Sequence, residues 1–312
     1  MRDSKVKRLL IQVYEKLFDL RRTLVRENRY AAFVRKDKLH IMSPAQTIEY
    51  INTHNCSIAR FGDGEFDLIR GCRNLKFQRS SHELAEALIE VLDSKDSNLL
   101  LCIPGVLNSI RGSNWHAAMY WSRWAIDENK HHPTIEMIRA HEKANYMFGD
   151  AQITRPYIDW SSPKRAKKVF PMLKQLWNGK DILIVEGEKT RLGIGNDLFS
   201  NAHSIKRILG PAIDAFSYYK DIMRAVLDHH SNELVILALG PTATILASKL
   251  SANGIQALDL GHIDVEYEWF LSGAKQKQLI PGKFLNEVVG GENPCDCLDE
   301  RYLEQIIARI GC

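Results

Sequence analysis

The sequence predicts an α/β fold with a mostly parallel sheet flanked by helices. Three observations carry that prediction. From His40 onward, short apolar runs alternate with helical patterns, the rhythm of βαβ units. The run Leu234–Leu239 is apolar at nearly every position, as a strand buried on both faces requires. The length, 312 residues, suits one undivided α/β unit. The apolar share of 45% and charged share of 26% are ordinary for a globular chain with a sizeable core. A net charge of +4 is too mild to argue for a nucleic-acid partner and fits an anionic ligand equally well.

Residues 1–35 read as a basic amphipathic helical extension. Between Ser4 and about Glu27, Leu9, Leu10, Val13, Leu17, Leu20 and Leu24 recur at helical spacing, and lysines and arginines cover much of the rest. Such a helix suits an apolar face of its own domain, a second subunit of a homodimer or a partner protein, ahead of an anionic membrane surface. No signal-peptide pattern is visible, and no apolar run reaches membrane-spanning length. The six cysteines show no zinc-like pairing, so reduced thiols are expected. The expected location is the cytoplasm, including the inner face of the membrane if the helix binds lipid.

The main domain is expected over residues 36–288. Its first clear strand, Ser57–Phe61, runs into Gly62-Asp63-Gly64-Glu65. In extended or turn backbone, two carboxylates two positions apart can aim at one point, and hard oxygens on a glycine-rich turn suit a divalent ion. An acidic hairpin turn would carry the same residues. Ser80–Glu83 holds a capping-box pattern before a helix through Leu92. Asn98–Ile103 is a second strand, stopped by Pro104-Gly105. Residues 108–148 have helical character, and Trp115, Tyr120, Trp121 and Trp124 are expected to pack in the core. Residues 154–160 break that pattern, and Arg155 there could pair with phosphate if the turn is rigid, which the sequence alone leaves open. A helix from Pro163 to Trp177 follows.

Asp181–Val185 is a third strand, delivering Glu186 and a loop through Arg191, Gly193, Gly195 and Asn196 whose backbone amides could hold an anion. Residues 206–209 form a short strand. After Leu234–Leu239, Gly240-Pro241-Thr242 opens a helix to Ala252, an N-terminus of the kind that binds anions, or a plain βα connection. Ile255–Leu260 is the return strand. It runs into His262, Asp264, Glu266 and Glu268, which alternate with apolar residues as on an edge strand. Asp63, Glu65, Glu186, Gly240 and Asp264 all follow carboxyl ends of predicted strands, the rim where open α/β sheets bind ligands.

Six stretches together carry a family resemblance: Arg60–Glu65, Thr154–Trp160, Ile184–Glu188, Gly193–Phe199, Ala238–Thr244 and Gly261–Trp269. In this order, across roughly residues 40–275, the chain resembles the bacterial GT-D type glycosyltransferases, long catalogued as a domain of unknown function. The resemblance implies a Rossmann-like domain using a nucleotide-sugar donor, UDP-linked, with Mn²⁺ or Mg²⁺ held by an Asp-x-Glu motif, here Asp63 and Glu65. The chemistry agrees, because charge growing on the departing diphosphate can be met by a metal with an arginine or helix N-terminus.

Arg60 is then expected to orient a carboxylate or touch phosphate. Gly240, Pro241 and Thr242, with Arg191, Gly195 and Asn196 and the neighbouring Glu186, are expected to contact nucleotide. An inverting transfer needs a base for the acceptor hydroxyl, for which Asp264 and Glu266 are first choices and His262 the second. Retention would need a nucleophile or a front-face route. The expected acceptor is a glycan or glycoconjugate. A metal phosphoesterase and a non-catalytic nucleotide-binding scaffold are the alternatives. The tail, 289–312, reads as a linker and a helix from Asp299 to Ile310, with Leu303, Ile306, Ile307 and Ile310 as its stripe.

Overall fold

Strands form where the apolar runs can be covered on both sides. The computed structural model describes residues 38–71, 74–127, 130–141 and 146–311, together with 13, 17, 21, 22, 24–32 and 34. In the first half, α1 (Pro44–His54) leads to β1 (Ser57–Arg60), α2 (Asp63–Ile69), α3 (His82–Leu92), β2 (Leu99–Ile103), α4 (Trp115–Ile126), α5 (His131–His141) and β3 (Gly149–Asp150). Then come α6 (Lys164–Gln175), β4 (Asp181–Gly187), β5 (Ser204–Gly210), α7 (Tyr219–His229), β6 (Leu234–Ala238), α8 (Pro241–Ala252), β7 (Ala257–Asp259) and α9 (Ile263–Leu271). The chain closes with α10 (Glu300–Gln305) and β8 (Ile306–Arg309). Among the described residues no helix is long and apolar enough to cross a membrane.

All eight strands pair in parallel, in the order β3-β2-β1-β7-β6-β4-β5-β8. Alternate residues of each strand enter opposite cores. Ala59, Leu101, Val185 and Leu237 join one, with α3, α4, α5, α7 and α8, and Ile58, Leu100, Ile184 and Ile236 join the other, with α1, α6 and α9. Each fully buried Leu or Ile contributes about 1.5–3 kcal/mol, which is why the central strands read as unbroken apolar runs. After β1 the chain moves outward through β2 and β3. The second half fills back inward through β6 and β7, and the halves meet where Ile58 of β1 pairs with Leu258 of β7. Chain direction diverges there, which opens a crevice at the strands' carboxyl ends.

Three local expectations change. Asp63 and Glu65 stand in the first turn of a helix, not in an open turn. Gly62 is extended at the N-cap, and the Glu65 carboxylate accepts its N–H at 2.7 Å, so the free amides of the turn favour helix. Residues 263–271, whose alternation suggested an edge strand, are helical. The helix is buried nearly all round, so its apolar positions never form a single stripe. The tail is half helix and half strand. Ile306-Ile307 is β-branched, and β5 offers an open edge that β8 covers, with the Ile310 N–H donating to the Leu209 carbonyl at 2.8 Å.

Much of the N-terminal helix expected over Ser4–Glu27 lies outside the described residues. Residues 24–32 are helical. Tyr30 is buried and donates to the Val106 carbonyl at 2.6 Å. The Arg22 and Arg26 guanidinium groups lie 5.2 and 4.8 Å from the Trp115 ring centre, so basic side chains face α4 while Val13, Leu17 and Leu24 are exposed.

Candidate active site

A cavity of about 810 Å³ opens at the carboxyl ends of β1, β6 and β7. Its wall carries Arg60, Asp63, Glu65, Gly240, Asp259 and His262, contributed by segments far apart in the chain, along with Tyr120, Arg155, Asp159, Lys277 and Glu287. Its size falls within the range of small-molecule sites, roughly 300–1,000 Å³.

Asp63 and Glu65 reach the wall from the first turn of α2. The Tyr120 hydroxyl donates to Asp63. Burial pushes the Glu65 acid up to about 7, opposed by the Gly62 N–H and by Arg60. Among the described residues no group of three or more His, Cys, Asp or Glu side chains could hold a metal.

Arg60 at the end of β1 fastens the cavity floor. Its Nη2 meets Asp259 Oδ1 at 2.7 Å, its Nε donates to the Asp259 carbonyl at 2.6 Å and its Nη1 to Thr154 Oγ1 at 2.7 Å. Gly261 follows β7 at φ +41, and a Cβ there would strike the Arg60 guanidinium. Gly240, at φ +57, lets the chain turn into α8 where a Cβ would sit 2.6 Å from the Phe77 ring.

Several residues expected at the site are off the wall. Asp264, 2% exposed, accepts the Gly193 N–H and Asn196 Nδ2, each at 2.8 Å, and pairs with Lys283 at 2.5 Å. Glu266 is fully buried and accepts the Tyr157 and Ile158 N–H groups at 2.9 and 3.0 Å; burial pushes its acid up to about 7, with Arg155 pulling back. Gly195 and Asn196 thus belong to a loop tied to α9. Arg191 donates to the carbonyls of Gly282 and Cys295 at 2.6 and 2.8 Å. Pro241 and Thr242 are buried at the start of α8. For Asp264, Glu266 and Arg191 the cause is shared: each has found partners inside the fold. Thr242 Oγ1 and Glu266 Oε1 are buried with no hydrogen-bond partner among the described residues.

Glu186 is likewise fully buried. It accepts the Leu192 N–H at 2.7 Å and pairs with Arg207 at 2.5 Å, while Arg207 also reaches the Leu192 carbonyl and Gln305. Arg207→Met strands this carboxylate without its counter-charge, and the expected loss is about 3–5 kcal/mol. Urea unfolding should show the lower midpoint at an unchanged slope; an unaltered midpoint would refute the pairing as a stabilising contact.

Some wall residues were not legible as site residues. Tyr120 is 45% exposed on the wall, whereas Trp121 and Trp124 are buried, so core packing holds for part of that aromatic group. Asp159 was visible only as part of the 154–160 stretch. Lys277 and Glu287 carried no motif. Arg207 and Lys283 left one usable signal: a lone basic residue inside or beside an apolar run.

The family model described as Glycosyltransferase GT-D fold matches residues 58–288. A probable glycosyl transferase Gly of Streptococcus gordonii is 37% identical over 276 residues, which is 88% of this chain and 39% of that protein. Glycosyltransferase GlyD of Streptococcus pneumoniae is 35% identical over 276 residues, 88% of this chain and 33% of that protein. The chain therefore spans less than half the length of these relatives. A solved structure described as a new glycosyltransferase (DUF1792) from Streptococcus sanguinis is 37% identical, with a TM-score of 0.80 over 88% of this chain and all of that one. With an all-parallel sheet, a rim cavity and a family match across most of its length, the chain belongs to the GT-D-fold glycosyltransferases.

Proposed function

We propose that the chain transfers a sugar, glucose or another hexose, from a UDP-linked donor to a hydroxyl of a glycan or glycoconjugate, with Mn²⁺ or Mg²⁺ at Asp63 and Glu65. The observation that carries this reading is the meeting of Asp63, Glu65, Gly240, Arg155 and His262 on one cavity at the strand ends. The glycosyltransferase names of the relatives support the reaction class.

Asp63 and Glu65 both reach the cavity wall as hard oxygen donors. Helical spacing splays the two side chains and Glu65 also caps Gly62, so a divalent ion there would draw most of its positions from water and phosphate. When bound, such an ion neutralises charge growing on the departing diphosphate. The Gly240 turn brings backbone to the cavity at the entry to α8, whose partial positive charge favours phosphate nearby. Tyr120 offers an aromatic face to a sugar or base. Asp264 and Glu266 act as positioning residues: Asp264 holds the 193–196 loop, and Glu266 holds the backbone of Tyr157 and Ile158, beside Asp159. Asp159 takes the proton from the acceptor hydroxyl. The other wall carboxylates are committed, Asp63 and Glu65 to the cation, Asp259 to Arg60 and Glu287 to Arg155.

Mass spectrometry of products from a panel of UDP-sugars and glycans, with UDP release in Mn²⁺ as the rate, tests the assignment. Turnover by the wild type and its loss in the Asp63→Ala, Glu65→Ala double variant are expected. Wild-type-like release by the double variant removes the metal role, and no release from any UDP-hexose overturns the donor.

A further inference from the structure

Residues 277–292 form a strap that lends Lys277 and residues 284–287 to the cavity wall, and its Glu287 side chain sits among Arg155, Lys277 and His262. The Glu287 carboxylate accepts from Arg155 on Oε1 and from Lys277 on Oε2, and His262 Nε2 lies 3.0 Å from Oε1. All four residues are on the cavity wall. The groups are part-open to solvent: Glu287 is 19% exposed, Arg155 and His262 27%, Lys277 38%. Asp259 on the same wall is nearly buried against Arg60, and two further rim carboxylates differ more. Glu186–Arg207 and Asp264–Lys283 are at most 4% exposed and sealed in the core, so nothing entering the cavity can exchange with them.

We infer that Arg155, Lys277 and His262 form a seat for a diphosphate, and that Glu287 occupies it from the chain's own strap until such an anion displaces it. The inference rests on the donor reading of this cavity and adds the contact that donor must break. Burial and Arg155 push the His262 imidazole below its ordinary value, toward the neutral form. Two cations, Arg155 and Lys277, with that imidazole are a denser set than one negative charge needs, and a diphosphate supplies more oxygens and more charge. Glu287 is unsuited to the alternative role of proton acceptor. Despite burial, Arg155 and His262 hold its acid far below the usual carboxylate range, so it stays a weak base. The strap is anchored at Gly282 by Arg191, at Lys283 by Asp264 and at buried Leu285, so the part that can yield is the segment 286–290 that carries Glu287. The strap's hold on the rest of the chain also includes the Phe284 N–H to the Lys189 carbonyl at 2.9 Å and the exposed Lys76 Nζ to the Asn286 carbonyl at 3.1 Å, and it closes on itself through the Leu285 N–H to the Gly291 carbonyl at 2.7 Å.

The probe is inorganic pyrophosphate in metal-free buffer, so the result does not depend on Asp63 and Glu65. By calorimetry, Glu287→Gln is expected to bind pyrophosphate roughly tenfold more tightly than the wild type, the scale of one charged contact no longer displaced. Adding Lys277→Met to that variant is expected to cancel the gain. Equal or weaker binding by Glu287→Gln overturns the inference, as does a gain that survives loss of Lys277. Hydrogen exchange on the wild type gives a second measurement that needs no variant. Pyrophosphate should speed exchange at the Leu285 and Gly291 amides, and unchanged or slower exchange there overturns the displacement. Failure of the donor reading looks different: UDP-sugars would not turn over, yet Glu287→Gln would still gain pyrophosphate.

Discussion

Glu65→Gln is expected to lower sugar transfer by roughly 10²–10³-fold, the scale of removing one preorganised electrostatic contact to a transition state. The substitution keeps an oxygen to accept the Gly62 N–H, so α2 retains its cap and the loss reports charge, not folding. A pH signature accompanies it. Burial raises the Glu65 acid from 4.5 to about 7 in the folded chain. Between those values the folded state holds a proton that the unfolded state releases. Wild-type stability therefore falls as pH rises through that window, and Glu65→Gln escapes that fall. Melting curves should show the variant gaining on the wild type from pH 4.5 to 7. Mn²⁺ at pH 7.5 should raise the melting temperature of the wild type and not of the variant. An equal response of both to Mn²⁺ would remove Glu65 from the cation site.

Arg60→Ala carries the second large effect, this time on the scaffold beneath the cavity. Asp259 is 2% exposed, and Arg60 is its charged partner. Burial alone raises the Asp259 acid, and Arg60 is what draws it back. Removing the arginine leaves a buried carboxylate to be desolvated alone and also frees Thr154 and the Asp259 carbonyl. The expected loss is about 3–5 kcal/mol. The junction of β1 and β7 should loosen, and transfer should fall with it. The double variant Arg60→Met, Asp259→Asn should recover part of the lost stability, because no charge is then stranded. A double variant as unstable as the sum of its parts would show that packing, not the ion pair, holds the junction.

The expected sheet was legible because its strands must be apolar on both faces. Leu99–Ile103 and Leu234–Ala238 are buried at every position, and no other local structure explains so short an unbroken run between turn residues. The rim was legible for a related reason: parallel strands place all their carboxyl ends on one edge, so Asp63, Gly240 and His262 arrive together once each is read as following a strand. Less legible was the direction of each acidic side chain. Asp264 and Glu266 sit in the first turn of α9 and look like site residues, yet their donors lie inside the fold. The tail misled because Leu303, Ile306, Ile307 and Ile310 satisfy a helical stripe, while the open edge of β5 rewards β-branched residues as strand.

What this sequence determines alone is whatever its local periodicity dictates: the parallel sheet, the helices laid on it and the set of polar turns at one edge. What the tertiary structure decides is which of those polar groups remain for a ligand. A carboxylate's fate depends on where its counter-charge lies. For Glu186, Asp264 and Glu287 those partners are Arg207, Lys283 and Arg155, 21, 19 and 132 residues away along the chain. Pairings of that kind come from packing two sheet halves and a strap together, and no spacing within a single helix or strand encodes them.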